Sequence, residues 1–208
     1  MSSNTYGWTN TDSLEDHDYT LPAILALMPP PGVGGCLDVL DAGCGNGYIA
    51  RVLSRRGFNV TAFDLSPDGI ALAQAKEPNI AWHVRSVYDD LSDIGASGFD
   101  VIISSEVIEH LYSPQKFLAN MHSLLRANGT LILTTPYHGY LKNLALSLFN
   151  AWDKHHTVTW EGGHIKFFSE KTLSGILTGV GFRQIRFKNA GRFFYLWKSM
   201  VVSAKKIG

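Results

Sequence analysis

The chain alternates short apolar segments with amphipathic ones, and the alternation becomes regular from residue 37 onwards. Apolar runs between glycine and polar turn residues predict strands, whereas apolar residues spaced three and four apart predict helices. Five strands are predicted, at residues 37–41, 59–63, 80–84, 99–104 and 130–135. Helices are predicted between them, at residues 48–56, 67–76 and 114–126. This order is typical of an α/β fold with a doubly wound, mostly parallel sheet and helices on both faces.

The last third of the chain departs from the alternation. Residues 170–179 predict a helix, and residues 182–189 and 195–204 predict two strands separated by a short Ala-Gly turn. Two strands joined so closely form an antiparallel hairpin, since a parallel pair needs a long crossover. We therefore expect a seven-stranded sheet that ends in an antiparallel C-terminal edge hairpin.

The predicted elements form one domain with two additional segments. A length of 208 residues with 45% hydrophobic and 17% charged residues fits a single globular domain. Residues 1–30 are polar and aromatic up to a short predicted helix at 21–28, and we interpret them as a leading lid. Residues 137–168 do not fit the alternation, and we interpret them as an insertion over the functional edge of the sheet.

Charge is balanced overall but unevenly placed. Eighteen basic and eighteen acidic residues give a formal net charge of zero, which argues against nucleic acid as a partner. After Glu170 there are eight basic residues and no acidic one. A solvated basic edge is the simpler interpretation, and contact with an anionic substrate or a membrane surface is the alternative. Residues 141–152 form an apolar stretch, interpreted as a lid or as a surface for peripheral membrane contact.

Cysteine usage and the chain start bear on the compartment. Cys36 and Cys44 are too few for a disulfide scaffold or a four-thiolate zinc site, and we expect both to be reduced. The first residues lack the basic start and apolar stretch of a signal peptide. The uncharged run at residues 19–37 contains Pro22 and a triple proline, so it does not predict a spanning helix. We expect a cytoplasmic protein.

A glycine-rich loop joins the first predicted strand to the first helix. It follows Asp41 and places Gly43, Gly45 and Gly47 where the backbone can turn sharply and approach a ligand closely. Asp64 ends the second predicted strand, where a carboxylate can accept hydrogen bonds from the ribose hydroxyls of an adenosine ligand. Each part lies where a doubly wound fold has its nucleotide site, so the combination indicates such a site.

Two classes of adenosine ligand compete for this loop. A dinucleotide would bring its pyrophosphate close to the negative Asp41, and the Gly-x-Gly-x-Gly spacing differs from the dinucleotide fingerprint. S-adenosylmethionine has an ammonium and a sulfonium instead of phosphates, and its charge suits Asp41. The loop therefore favours S-adenosylmethionine over the cofactor of a dinucleotide oxidoreductase.

Three blocks of sequence resemble a known family. Residues 41–47, followed by Asp64, resemble motif I and the following acid of class I S-adenosylmethionine-dependent methyltransferases. Residues 99–111 and 163–169 resemble segments of the ubiquinone-biosynthesis O-methyltransferases and their small-molecule relatives. The resemblance covers about residues 35–190. It implies a Rossmann-like methyltransferase fold, the cofactor S-adenosylmethionine with S-adenosylhomocysteine as product, and a small-molecule acceptor.

The resemblance also implies cofactor contacts by position. These are Gly43, Gly45 and Gly47 along the methionine half, Asp64 at the ribose, Leu65 on the adenine, Ser86 and Val87 at the adenine edge, and Ser105 near the methionine or the transferred methyl. Many family members have Asp at the position of Ser86. The aromatic insertion predicts a flat acceptor, and we expect a hydroxyl oxygen of a quinol, phenol or sugar to be methylated.

Methyl transfer to a hydroxyl requires removal of its proton, which a histidine can accept near neutral pH. His110 follows the fourth predicted strand at the ligand-binding edge and is the candidate base. Glu106, Glu109, His110 and His164 together resemble the metal site of the small-RNA 2′-O-methyltransferases and suit Mg²⁺ or Mn²⁺. We favour a site without metal. A metal-assisted RNA methyltransferase and a non-catalytic S-adenosylmethionine-binding protein remain alternatives.

Overall fold

The structure is a computed structural model that describes residues 7–14, 16–29, 36–95, 97–156, 162–192 and 197–208. Its strands are β1 Asp38–Ala42, β2 Asn59–Asp64, β3 Ala81–Val84, β4 Phe99–Ser105, β5 Leu125–Pro136, β6 Phe182–Phe187 and β7 Ser199–Lys206. Its helices are α1 His17–Leu27, α2 Tyr48–Ser54, α3 Pro67–Lys76, α4 Pro114–Leu124, α5 Tyr140–Leu148, α6 Trp152–His156 and α7 Glu170–Val180. A 3-10 turn, Ile108–His110, follows β4.

The seven strands form one sheet in the order β3-β2-β1-β4-β5-β7-β6. Strands β1 to β5 pair in parallel, whereas β7 runs antiparallel to both β5 and β6. The chain moves outward from β1 to β3 and then crosses back to β4 on the other side of β1. Ligands bind at such a switch point, beyond the carboxyl ends of the strands. The predicted doubly wound sheet with an antiparallel C-terminal pair is confirmed.

Both faces of the sheet are covered, because neighbouring residues of β1 pack into different cores. Val39 packs with Leu53 of α2 on one face. Leu40 packs with Phe117 of α4 and Leu177 of α7 on the other face. All five of these side chains are fully buried. Alternating side-chain directions along a strand produce this split, and near-continuous apolar strands are typical of sheets buried on both sides.

Two elements begin earlier than the apolar pattern predicts. Helix α1 begins at His17 rather than at residue 21, and it continues through Pro22 with the loss of one backbone donor. Strand β5 begins at Leu125 rather than at residue 130, because Leu125 already pairs with Phe99 of β4. An irregularity in the β4–β5 register follows. Residues 126–129 (Arg-Ala-Asn-Gly) interrupt the apolar pattern there, so the sequence gives no strand signal at the start of β5.

The C-terminal hairpin and the insertion also differ in detail from the prediction. Strand β7 lies between β5 and β6, so of the two C-terminal strands β6 alone lies at an edge of the sheet. The predicted start of β7, with residues 193–196, lies outside the described residues. The apolar stretch at 141–152 lies on two helices, α5 and α6, interrupted near Asn150, whose backbone is left-handed with φ 48°. Throughout the described ranges, every helix is too short or too polar to cross a bilayer.

Candidate active site

The glycine loop connects β1 to α2 at the carboxyl edge of the sheet. Gly43, Gly45 and Gly47 have φ values of 79°, 55° and 74°, the left-handed region that other residues rarely adopt. The amides of Gly43 and Cys44 both donate to the carbonyl of Phe63 in β2, at 2.9 and 3.0 Å. The loop is therefore fixed against the end of the neighbouring strand.

Asp64 ends β2 next to this loop. Its Oδ2 accepts a hydrogen bond from the amide of Gly45 and its Oδ1 from the amide of Ser66, each at 2.8 Å. Burial raises the pKa of Asp64, and these amide donors oppose the rise. Leu65 follows and is half exposed, so its side chain is accessible to a ligand. A carboxylate oxygen has a second lone pair, which leaves Asp64 able to accept from ribose hydroxyls.

Asp41 lies below the loop, near the end of β1, and is only 1% exposed. Among the described residues, its Oδ2 is buried and has no hydrogen-bond partner. Burial, followed by the charge of Asp64, raises the pKa of Asp41 to about 7. A buried carboxylate of this kind is costly unless a cation neutralises it. The position therefore fits a ligand with a positive group.

The N-terminal segment 7–14 is fastened to the loop by two buried side chains. The Asn46 amide donates to two backbone carbonyls of the segment, at 3.2 and 3.0 Å. The Arg51 guanidinium donates to a third carbonyl and to the Asn46 carbonyl, the latter at 2.7 Å. A Cβ atom on Gly45 would lie 2.6 Å from the Trp8 ring, so the indole lies against the loop.

The other predicted cofactor residues also lie at the carboxyl ends of strands. Ser86 and Val87 follow β3, where the Ser86 amide donates to Asp89 at 2.8 Å. Asp89 therefore fixes the backbone of its own loop. Ser105 ends β4 and its hydroxyl lies 2.9 Å from that of Thr134 in β5. The structure thus brings the predicted residues to one edge, across four adjacent strands.

His110 ends the 3-10 turn after β4, and its orientation is set by the insertion. Its Nδ1 lies 2.7 Å from the carbonyl of Gly162 and 3.2 Å from that of Gly163. Carbonyls only accept, so Nδ1 carries the proton and, in the neutral ring, Nε2 carries the lone pair. The Glu109 carbonyl accepts from the amides of Ile165 and Lys166, both at 2.9 Å. Residues 162–166 therefore pack directly on the candidate base.

Two carboxyl groups lie below His110. Glu106 has φ 52°, and the hydroxyl of Thr134 donates to its Oε1 at 2.8 Å. Glu109 is completely buried, and its Oε2 accepts from Thr135 at 3.0 Å. Burial raises the pKa of Glu106 to about 7. Burial, with the charge of Glu106, raises the pKa of Glu109 well above its usual range.

Glu109, His110 and His164 form a cluster that can hold a cation. Glu109 Oε1 lies 4.0 Å from Nε2 of each histidine, and all three candidate ligand atoms lie within 4.8 Å of one another. Within the described residues, Glu109 Oε1 is buried with no hydrogen-bond partner. Burial, then the neighbouring His110, lowers the pKa of His164 to about 4, so this ring is neutral at pH 7. Glu106, the fourth predicted ligand, bonds Thr134 instead.

An aromatic group lies beside this cluster, on residues that follow β5. His138 stacks on His156 with ring centroids 5.5 Å apart, and Trp152 stacks on His156 at 4.6 Å. The Phe167 ring contacts both histidines edge-on. Residues 1–6, 15 and 30 of the predicted lid and residues 157–161 of the predicted insertion lie outside the described residues.

Sequence reasoning missed several residues of this site. Thr134 and Thr135 anchor the two glutamates, and Lys142 of α5 lies close enough to Glu106, His156 and His164 to act on them electrostatically. The available signal for the threonines was a polar pair ending an otherwise apolar strand. Lys142 carried no comparable signal, because a lysine on an amphipathic helix usually faces solvent.

Comparison with known proteins finds relatives of this chain among methyltransferases. A family model for a methyltransferase domain matches residues 13–186. The ubiquinone biosynthesis O-methyltransferase of Caulobacter vibrioides is 34% identical over 151 residues, which are 69% of this chain and 58% of that protein. The Rickettsia bellii enzyme of the same name is 40% identical over 102 residues, 48% of this chain and 42% of that protein. The chain thus spans about half the length of these curated relatives.

A solved structure shows the same fold. Magnesium protoporphyrin IX methyltransferase from Synechocystis, with bound S-adenosylhomocysteine, has a TM-score of 0.68 and 20% identity. The match covers 90% of this chain and 82% of that one. The buried, unpartnered oxygen of Asp41, the adjacent Asp64 and the glycine turn fit S-adenosylmethionine, as predicted. The match over residues 13–186 and the fold together show that this chain belongs to the methyltransferase-domain family.

Proposed function

We propose that this domain transfers a methyl group from S-adenosylmethionine to a hydroxyl oxygen of a small molecule such as a quinol, phenol or sugar. The observation that carries the proposal is the orientation of His110 at the cofactor edge. Its Nδ1 faces two carbonyls, so its Nε2 is the atom that accepts a proton. A hydroxyl acceptor needs such a base, whereas the sulfonium leaving group needs no acid.

The cofactor has a continuous set of contacts in this proposal. Glycines 43, 45 and 47 form the turn beside its methionine half, and Asp41 supplies the opposite charge. Asp64 accepts from the ribose hydroxyls, and half-exposed Leu65 packs on the adenine. Ser86 and Val87 flank the adenine edge, and Ser105 lies near the transferred methyl.

The reaction needs alignment and one proton acceptor. S-adenosylmethionine, when bound, supplies a methyl group on a positively charged sulfur. The chain holds the acceptor oxygen in line with that methyl and excludes water. His110 takes the hydroxyl proton at Nε2 as the oxygen–carbon bond forms and the carbon–sulfur bond breaks, leaving a neutral thioether. Glu109 Oε1 lies 4.0 Å from this nitrogen, and the resulting imidazolium favours ionisation of the Glu109 carboxyl, which burial otherwise opposes.

The N-terminal and internal segments close this site in the proposal. We divide the chain into one domain, a leading lid at residues 1–30 and an insertion at 137–168. The bonds from Asn46 and Arg51 to segment 7–14 support the lid. The two amide bonds to the Glu109 carbonyl support an insertion that covers the acceptor.

Binding and turnover test the proposal in sequence. Calorimetric titration with S-adenosylmethionine, S-adenosylhomocysteine and NADH should show binding of the first two only. With a methylated catechol or quinol as the readout, His110→Asn should lower kcat by about 10² or more and leave S-adenosylhomocysteine affinity unchanged. His83→Asn, the same change within β3, is the control. Preference for NADH, or binding without turnover on any acceptor, would contradict an enzyme of this class.

A divalent cation is the second candidate device for activating the acceptor. Among the described residues, Glu109 Oε1 is buried without a hydrogen-bond partner and lies 4.0 Å from Nε2 of His110 and of His164, which favours a cation at this point. In that case His110, through Nε2, would hold the cation together with Glu109 and His164, and a bound cation would supply Lewis-acid activation of the acceptor hydroxyl. The RNA 2′-O-methyltransferase alternative uses the same arrangement. Calorimetry with Mg²⁺ or Mn²⁺, with and without a catechol, distinguishes a metal site from a histidine base.

Peripheral membrane contact is proposed for helix α5. None of its residues is buried, and Leu148 and the following Phe149 are 73% and 81% exposed. An apolar helix in a chain that is basic after Glu170 suits an anionic lipid surface. Sedimentation with vesicles of anionic lipid should retain the protein, and Leu148→Glu should release it. Ile207→Glu, at another exposed apolar position, is the control, and equal retention of both variants would contradict the assignment.

We propose the cytoplasm as the site of action. Neither Cys36 nor Cys44 is in a disulfide, as expected in a reducing compartment. Fractionation of cells that express the chain, with thiol labelling of the recovered protein, tests this. Recovery of an oxidised protein from an extracellular fraction would contradict it.

A further inference from the structure

Lys142 has a charge environment that the proposed reaction does not use. It lies in the first turn of α5, just after the carboxyl end of β5, and is half-buried. Its Nζ donates to the carbonyl of Tyr137 at 2.8 Å. That carbonyl is its single hydrogen-bond partner among the described residues, where no carboxylate oxygen lies within 4.0 Å of Nζ. An ammonium has three donors, so two of them are not used by the described chain.

The larger charge effect on Lys142 comes from a positive neighbour, Arg192, and the smaller one from Glu106. Burial and the nearby guanidinium of Arg192 both lower the pKa of Lys142, to about 8, and Glu106 opposes them. The amine is therefore still mainly protonated at pH 7. Lys142 in turn acts on the two site histidines, lowering the pKa of His156 and of His164. The ammonium therefore lies near His156 and His164.

Lys142 and Arg192 are two positive groups that repel each other, so binding of an anion beside them stabilises both. Half-buried cations with unused donors form strong charge-assisted hydrogen bonds with carboxylates. His138 and His156 are themselves buried, whereas Trp152, which stacks on His156, is 42% exposed and offers a flat surface next to a ring that Lys142 affects. An aromatic ring that carries both a hydroxyl and a carboxylate satisfies both features at once.

We propose that Lys142, with Arg192 beside it, binds the anionic group of the acceptor, so that the domain selects a hydroxylated aromatic acid over the neutral phenol. This inference rests on the proposed methyl transfer to a hydroxyl. Lys142 acts as a specificity-determining residue and takes no part in proton transfer. S-adenosylmethionine also has a carboxylate, so the test must distinguish the acceptor from the cofactor as the source of the anion.

A matched pair of rings tests the selection by binding alone. The protein is saturated with S-adenosylhomocysteine and titrated with 3,4-dihydroxybenzoate and with catechol, which lacks only the carboxylate. We expect the acid to bind at least tenfold more tightly. Lys142→Met should reduce this preference by tenfold or more and leave catechol affinity unchanged, and Lys142→Arg should retain much of it. Lys171→Met, at an exposed lysine of α7, is the control and should leave the preference intact.

Each of the other outcomes contradicts either the role of Lys142 or the proposed function. Equal affinity for both rings, binding of neither ring, or a preference unchanged by Lys142→Met overturns the role of Lys142 in acceptor selection. Loss of S-adenosylhomocysteine affinity in Lys142→Met assigns the lysine to the cofactor carboxylate and also overturns it. Failure of the parent protein to bind S-adenosylhomocysteine overturns the proposed function itself. Thermal unfolding of each variant confirms that it is folded.

Discussion

Asp41 allows a sharp test of the charge balance below the glycine loop. The ordinary pKa of 3.8 rises to about 7 in the folded protein. A carboxyl whose folded pKa is raised favours the protonated folded state, so stability is lost as pH rises from 3.8 to about 7 and is then constant. At pH 8 the whole rise of about three pKa units applies, and it lowers the free energy of unfolding by about 4 kcal/mol. At pH 5 only about 1.2 units above 3.8 apply, and the loss is about 1.6 kcal/mol.

Replacing Asp41 with asparagine removes this penalty while preserving the shape of the side chain. The stability difference between Asp41→Asn and the parent should therefore favour the variant by about 2–3 kcal/mol more at pH 8 than at pH 5. Comparing two pH values cancels any packing change that the amide introduces. The variant should also bind S-adenosylmethionine at least tenfold more weakly at pH 7.5, because the charge opposite the ligand cation is gone.

Urea unfolding of the ligand-free protein at the two pH values measures the first effect, and calorimetry measures the second. Asp153→Asn, the same change at an exposed position, is the control and should show neither effect. A stability difference that is identical at pH 5 and pH 8 would refute the raised pKa of Asp41. Unchanged ligand affinity would refute its role as the cofactor's counter-charge.

Three further predictions concern the lid, the cation cluster and the opposite edge of the sheet. Gly45→Ala should destabilise the protein, because its Cβ would lie 2.6 Å from the Trp8 ring, and adding Trp8→Ala should recover part of the loss in thermal unfolding. His164→Gln should weaken Mn²⁺ binding in calorimetry by about tenfold or more, with S-adenosylhomocysteine affinity unchanged. Arg126 pairs with two aspartates at 2.6 and 2.7 Å, so Arg126→Met should cost about 1 kcal/mol in urea unfolding at pH 7. This cost should shrink as acid protonates Asp38, whose pKa is lowered in the fold by Asn59 and Arg126.

Each of these three predictions has a result that would contradict it. Additive losses in the Gly45–Trp8 double variant would show that the ring does not set the cost at Gly45. Unaltered Mn²⁺ binding by His164→Gln would remove that ring from the cluster. A constant effect of Arg126→Met between pH 7 and pH 3 would show that its aspartate pairs do not contribute.

The cofactor half of the site follows from local sequence. Glycines at alternating positions after a strand permit the left-handed turn, and all three have positive φ in the structure. An acid at the end of the next strand lies beside that turn because parallel neighbours end at the same edge. Asp64 indeed accepts from Gly45 at 2.8 Å. Turn geometry and strand order depend on a few neighbouring residues, so the sequence predicts them well.

The acceptor half depends on contacts between distant parts of the chain. His164 lies 54 positions beyond His110, yet the two rings are 4.9 Å apart because the amides of Ile165 and Lys166 bond the Glu109 carbonyl. The position of β7 between β5 and β6 likewise reflects long-range pairing, which no local pattern records. The hairpin signal predicted its antiparallel direction and not its neighbour in the sheet.

By itself, the sequence determined the doubly wound fold, the glycine turn, Asp64 and the family resemblance, because periodicity and motif spacing are local properties. Only the tertiary structure decided the raised pKa of Asp41, the tautomer of His110 and the charge environment of Lys142. Each of these depends on burial and on partners supplied by remote segments. Burial removes the water that stabilises a charged group. The free energy of its charged form then depends on the side chains that the fold brings near it.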